Sequence, residues 1–129
     1  MIRKKEVRFS GYDTPVMHLG GIRFDRSGKL WCISSGLIFT LDENTLEVSH
    51  QIDAGGLSWK LSEVTWRPYC MTFDEDGILY SNAGGKLTLV DTEAYAVKQY
   101  DIPVQTLALG NDGNLYYSQG TKLYRAKKN

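Results

Sequence analysis

The sequence is poor in the features that assign a protein quickly. It has two cysteines and three prolines in 129 residues, and no formal net charge. Nowhere does it carry the roughly 18 consecutive apolar residues that a membrane helix needs. Each shortage excludes something. With 15 Lys+Arg balanced by 15 Asp+Glu, the chain lacks the bulk positive field by which proteins hold nucleic acid or anionic membranes. Its start, Met-Ile-Arg-Lys-Lys-Glu, is charged and leads into no apolar stretch, so neither secretion nor membrane insertion is expected. Cys32 and Cys70 sit in apolar runs without a second Cys or a His at metal-ligand spacing, and read as reduced core thiols of a cytoplasmic protein. No Ser-His-Asp spacing, nucleotide-binding glycine loop or ligand cluster occurs, so no catalytic residue, metal or cofactor is assigned. What the chain does have is 42% hydrophobic and 12% aromatic residues, enough for a packed core.

It also has internal periodicity. Phe24-Asp25-Arg26-Ser27-Gly28-Lys29-Leu30-Trp31 recurs as Phe73-Asp74-Glu75-Asp76-Gly77-Ile78-Leu79-Tyr80 and as Leu109-Gly110-Asn111-Asp112-Gly113-Asn114-Leu115-Tyr116. Gly36 and Gly85 follow their turn glycines at the same distance, as do Asp42 and Asp91, and Lys122-Leu123 keeps the spacing of Lys86-Leu87. Each unit reads as four short antiparallel strands, with glycines where hairpin turns need a positive φ and Asp or Asn beside them to bond the turn. A turn such as Asp74-Glu75-Asp76-Gly77 superficially resembles the start of a calcium loop, but the further ligands of that loop are missing. The second strand of each unit is apolar at consecutive positions, Leu30-Trp31-Cys32-Ile33, Ile78-Leu79-Tyr80 and Leu115-Tyr116-Tyr117, which suits a sheet covered on both faces.

Four-stranded units of this length, buried on both faces, predict the blades of an all-β propeller. On the residues Asp25-Arg26-Ser27-Gly28-Lys29-Leu30-Trp31, Gly36-Leu37 and Leu41-Asp42, the chain resembles the blade motif of bacterial two-component-regulator propellers. More distantly it is similar to virginiamycin B lyase-like and gluconolactonase-like proteins. The resemblance covers the chain as blades and implies the fold. The catalytic His, carboxylates and metal of the lyases, and the metal set of the lactonases, find no matching positions here.

Propellers have about four to eight blades, whereas this chain has material for three. A second periodicity suggests how a ring closes: Tyr12-Asp13-Thr14-Pro15-Val16 matches Tyr100-Asp101-Ile102-Pro103-Val104, 88 positions on. Residues 6–12 therefore read as an outermost strand with no blade before it, while the third blade stops one strand short. The expectation is a homodimer in which two chains form one six-bladed ring. Residues 1–15 complete the partner's last blade, 16–53 form blade one, 54–67 a long connecting loop, 68–102 blade two and 103–129 the incomplete blade three.

Propeller ligands meet the mouth of the central channel, where loops lead into the innermost strands. The long loop carries Trp59, Lys60, Glu63, Trp66 and Arg67, and His18 aligns with Arg67. These six form the candidate ligand-binding set for a peptide, glycan or small metabolite, although the two Trp also suit padding between blades. His50, in an outermost strand, reads as a surface residue, and Gln105 and Thr106 as polar channel lining. The leading expectation is a non-catalytic binding or scaffold protein without nucleic-acid or membrane partners. The alternative is a metal-assisted lyase or hydrolase on the channel.

Overall fold

A computed structural model of the chain describes residues 11, 19–56 and 70–127. It is all-β: three antiparallel sheets in chain order, each a meander. The first is β1 (Gly21–Phe24), β2 (Leu30–Ser34), β3 (Gly36–Leu41) and β4 (Val48–Gly56). The second is β5 (Met71–Phe73), β6 (Ile78–Ser81), β7 (Lys86–Asp91) and β8 (Ala96–Pro103), and the third is β9 (Thr106–Leu109), β10 (Leu115–Gln119) and β11 (Lys122–Ala126). No described helix is long and apolar enough to cross a membrane.

One turn chemistry opens every sheet. In the first, Asp25 Oδ1 accepts the Ser27 and Lys29 amides, both at 2.9 Å, while Oδ2 accepts Trp31 Nε1 at 2.8 Å. In the second, Asp74 Oδ1 accepts the Asp76 and Ile78 amides at 2.9 Å, and Oδ2 accepts the Tyr80 hydroxyl at 3.0 Å. The carboxylate thus closes the hairpin and orients the aromatic residue two strand positions beyond it. Gly28, Gly77 and Gly113 take φ of 92°, 81° and 81°, the left-handed region that a side chain resists. The third turn varies the scheme: glycine at 110 has no carboxylate, so Asp112 accepts the Tyr116 hydroxyl at 2.7 Å instead. A Cβ on Gly110 would stand 2.6 Å from the Tyr116 ring and 2.7 Å from Asp112 Oδ1, which ties the missing side chain to the displaced carboxylate.

The turns between β3 and β4 and between β7 and β8 also match. Asp42 Oδ1 accepts the Asn44 and Thr45 amides, and Asp91 Oδ1 the Glu93 and Ala94 amides. Leu46 and Tyr95 then take φ of 61° and 58°. Between β2 and β3 the positive φ falls on Ser35 at 53°, not on the expected glycine; Gly36 begins the strand and lies against Gly55. β4 runs to Gly56, three residues into the segment read from sequence as connecting loop.

Strand alternation gives each sheet two distinct faces. Trp31, Ile33, Ile38 and Ile52 of the first sheet pack with Met71, Leu79, Ala83 and Val90 of the second. Leu87 of the second sheet, with Tyr80, Leu89 and Tyr100, packs with Leu107, Leu109, Leu115 and Tyr117 of the third. The leucine of each turn motif (Leu79, Leu115) therefore meets the preceding sheet, and the aromatic residue beside it (Trp31, Tyr80) the following one. Trp31, Ile33, Ile38, Leu79 and Val90 are fully buried. At about 1.5–3 kcal/mol for each large apolar side chain, this junction is a principal source of stability. The opposite face of the first sheet is equally apolar: Leu30, Cys32, Leu37, Phe39 and Leu41 form a buried cluster. On the same face Ile22 and Phe24 remain 61% and 54% exposed. β2 and β3 are buried along their whole length, as their consecutive apolar residues require.

Candidate functional site

The sheets have two ends. The hairpin turns at 25–28, 42–47, 74–77, 91–95 and 110–113 share one; the connections leading into β1, β5 and β9 share the other. His18, Trp59, Lys60, Glu63, Trp66 and Arg67 all fall in the connections before β1 and β5, and all lie outside the described residues. The described part of the connecting end is polar and tightly bonded. Asn82, buried, accepts the Cys70 amide at 2.8 Å and donates from Nδ2 to the Gln105 carbonyl at 2.8 Å, so one side chain ties the approaches to β5 and β9 together. Gln105 Oε1 accepts the Gly120 amide at 2.9 Å, and Gln119 Nε2 donates to the Pro103 carbonyl at 2.8 Å. Thr106 and Ser118 share a 2.6 Å hydroxyl bond. Gln105 and Thr106, read from sequence as channel lining, are thus engaged with the β9–β10–β11 backbone and its neighbours. Arg23 reaches across to the second sheet and donates to the Met71 carbonyl at 2.9 Å.

Three clefts lined by described residues lie toward the opposite end. A cleft of about 190 Å³ between the first two aspartate turns is lined by Asp25, Asp74, Glu75, Asp76 and Glu93. No described group of three or more His, Cys, Asp and Glu has the arrangement to hold a metal ion. A second cleft, of about 300 Å³, is lined by Lys29, Asp42, Asn44, Ser49, His50 and Tyr95. Here Tyr95 projects from the second sheet into the junction with the first. His50 stacks on it at 3.8 Å and 11°, Trp31 lies tilted at 5.8 Å, and Lys29 Nζ is 4.7 Å from its ring centre. His50 was expected on the open surface; it is exposed, yet its ring is spent on Tyr95, because its strand pairing with Thr40 puts it on the same face as Trp31. The third cleft, of about 440 Å³, lies between the second and third sheets and is mostly apolar, with Tyr80, Leu87, Leu89, Tyr100, Leu109 and Leu115 in its lining.

The titrations fit structural roles. Burial raises the Asp25 carboxyl, but hydrogen bonds from Ser27, Trp31 and Lys29 outweigh it, holding the group below its ordinary 3.8. The amides of Thr45 and Asn44 lower Asp42, and the Tyr116 hydroxyl and Asn114 amide lower Asp112. Burial pushes the Cys32 thiol up to about 12, leaving it neutral and inert. A carboxyl whose folded pKa is depressed stabilises the fold above its unfolded pKa and loses that contribution as pH falls through the folded value. Stability is therefore expected to be level at neutral pH and to fall on acidification below about pH 4. Asp25→Asn should lower the neutral plateau and flatten the acid limb, as read from urea unfolding at a series of pH values. An unchanged acid limb would remove Asp25 from the account.

No family model matches the chain, and no curated protein matches its sequence.

Proposed function

We propose that the chain is a non-catalytic binding or scaffold module, half of a six-bladed β-propeller that a second copy completes. Its ligand, a peptide, glycan or small metabolite, would meet the connecting end through His18, Trp59, Lys60, Glu63, Trp66 and Arg67. The observation that carries the ring is the constant facing of the sheets. Leu79 and Leu115 look back and Trp31 and Tyr80 look forward at both junctions, so a further sheet added in the same sense meets the same kind of surface. On the backward face of the first sheet Leu30, Cys32, Leu37, Phe39 and Leu41 are already buried, and the exposed Ile22 and Phe24 of β1 are the apolar surface that supports such an addition. A binding role is supported by the way the carboxylates are used. Asp25, Asp42, Asp74, Asp91 and Asp112 all accept turn amides, which accounts for them without acid–base chemistry.

Light scattering on a sizing column tests the assembly. A species of twice 14.6 kDa is expected, and a monomer at all concentrations overturns the ring. Peptide and glycan arrays test the binding. Trp59→Ala or Trp66→Ala should abolish retention with little change in melting temperature; a cooperative loss of folding would make the two rings padding instead.

A further inference from the structure

The cleft of about 440 Å³ between the second and third sheets has an equivalent between the first and second, which Tyr95 narrows to about 300 Å³. There the β7–β8 turn of the second sheet sends Tyr95 back against Trp31. Counting from the turn glycines, Tyr80 replaces Trp31, Ile78 replaces Lys29, Leu89 replaces Thr40, and Ala126 and Lys127 stand for Val90 and Asp91. All five of these replacement residues line the open cleft. Lys127 stands where Asp42 and Asp91 build the turn that leads to a fourth strand. Among the described strands none pairs with the outer edge of β11.

We infer that the N-terminal segment of a second copy is the occupant: it pairs with β11 as a fourth strand and sets Val7 in the cleft. This rests on the ring reading above. The offset that matches Tyr12-Asp13 to Tyr100-Asp101 brings Val7 onto Tyr95 and Phe9 onto Val97. It also brings Asp13 onto Asp101, whose partner Lys86, at 3.4 Å, is equivalent to Lys122. Gly11 aligns with Gln99, beside the irregularity in the β7–β8 pairing, and its φ of 87° is the backbone that a glycine bulge uses. Val7 needs no left-handed turn, because the segment arrives from another chain rather than from β11. Charge agrees as well: Arg3, Lys4, Lys5 and Arg8 approach a rim bearing Asp74 and Asp76, where Lys127 is the one cation among the described lining residues.

The segment belongs to a second copy for a topological reason. β8 feeds directly into β9, so a fourth strand lies in the sheet before the one it leads to. A strand at residues 6–12 leads to β1 and therefore belongs to a sheet preceding the first. The chain's own third sheet lies on the other side, beyond the second.

The pairing fixes a register. Leu89 opposite Lys98 and Val90 opposite Val97 translate into Arg125 opposite Ser10 and Ala126 opposite Phe9 of the second copy. Opposed strand residues have Cα atoms about 4.5–5.5 Å apart, within disulfide reach. Full-length chains carrying Ser10→Cys and full-length chains carrying Arg125→Cys, both with Cys70→Ser, would be mixed and oxidised with glutathione disulfide. The mixture is expected to give at least tenfold more covalent dimer on a non-reducing gel than either variant alone. Val7→Asp should weaken the dimer at least tenfold by light scattering, and Val7→Leu should not. A dimer that neither cross-links in the mixture nor responds to Val7→Asp overturns the strand exchange but leaves the ring standing. A disulfide formed only within a doubly substituted chain overturns it in favour of the chain's own segment. A wild-type monomer overturns both.

Discussion

Trp31→Ala is expected to lower the unfolding free energy by about 4 kcal/mol, measured by urea titration. The side chain has no exposed surface and packs among Ile33 and Ile38 of its own sheet and Met71 and Leu79 of the next. Truncation removes an indole from between two sheets whose backbones are held by their own hydrogen-bond ladders, so the cavity closes only in part. The indole also donates to Asp25 Oδ2 at 2.8 Å, and alanine leaves that oxygen in search of water. Trp31→Phe separates the two contributions: it retains most of the buried area and loses the hydrogen bond, and should cost about 1–2 kcal/mol. A loss under about 1 kcal/mol for the alanine variant would mean that the first two sheets do not share this core. With typical domain stabilities of about 5–15 kcal/mol, the predicted loss takes a large share of the total.

The link between Asp25 and Trp31 also shows what sequence made legible. The motif Asp-x-x-Gly-x-Leu-aromatic was readable because every part of it is local. The carboxylate caps amides two and four residues on, glycine supplies the positive φ, and the aromatic group lies within reach of the second carboxylate oxygen. Consecutive apolar residues in β2 likewise implied two covered faces, since strand geometry leaves no other use for them. Where the pattern broke, reading was poorer. Gly110 looked like an ordinary variant of the motif, and nothing in one dimension tells that the absent carboxylate is replaced by Asp112 from two positions along. Ser35 rather than Gly36 took the left-handed turn position, and Gly36 instead begins β3 beside Gly55.

Contacts between sheets were the least legible. Tyr95 and His50 are separated by most of a sheet and a connection, and each alone reads as a surface residue. Their stacking depends on the β3–β4 register, in which Ile38 opposite Ile52 and Thr40 opposite His50 set His50 on the same inward face as Ile52. A usable signal did exist. Leu46 and Tyr95 are bulky residues at matching turn positions where Asn or Gly would be expected, and a residue that keeps an unfavourable backbone has packing to compensate it. The candidate ligand residues were chosen because their connections lead into the innermost strands, one of them long and rich in aromatic residues, and they lie outside the described residues.

Tyr95 yields the second large effect, and its sign between two variants is the informative part. At φ 58° a tyrosine backbone costs about 1 kcal/mol or more relative to glycine. The ring repays this by stacking on His50 at 3.8 Å, tilting over Trp31 and lying under Lys29 Nζ, which also donates to the Thr92 carbonyl. Tyr95→Ala loses every ring contact and retains the strained backbone, for an expected loss of about 3 kcal/mol. Tyr95→Gly loses the same contacts but relieves the strain, so it should be milder by about 1 kcal/mol. Glycine is ordinarily the more damaging replacement in a strand or helix, and urea midpoints that place glycine below alanine here would show that the turn is not held left-handed. If the order is as expected, ring packing holds the turn against its own backbone preference, and that one side chain locks the second sheet to the first.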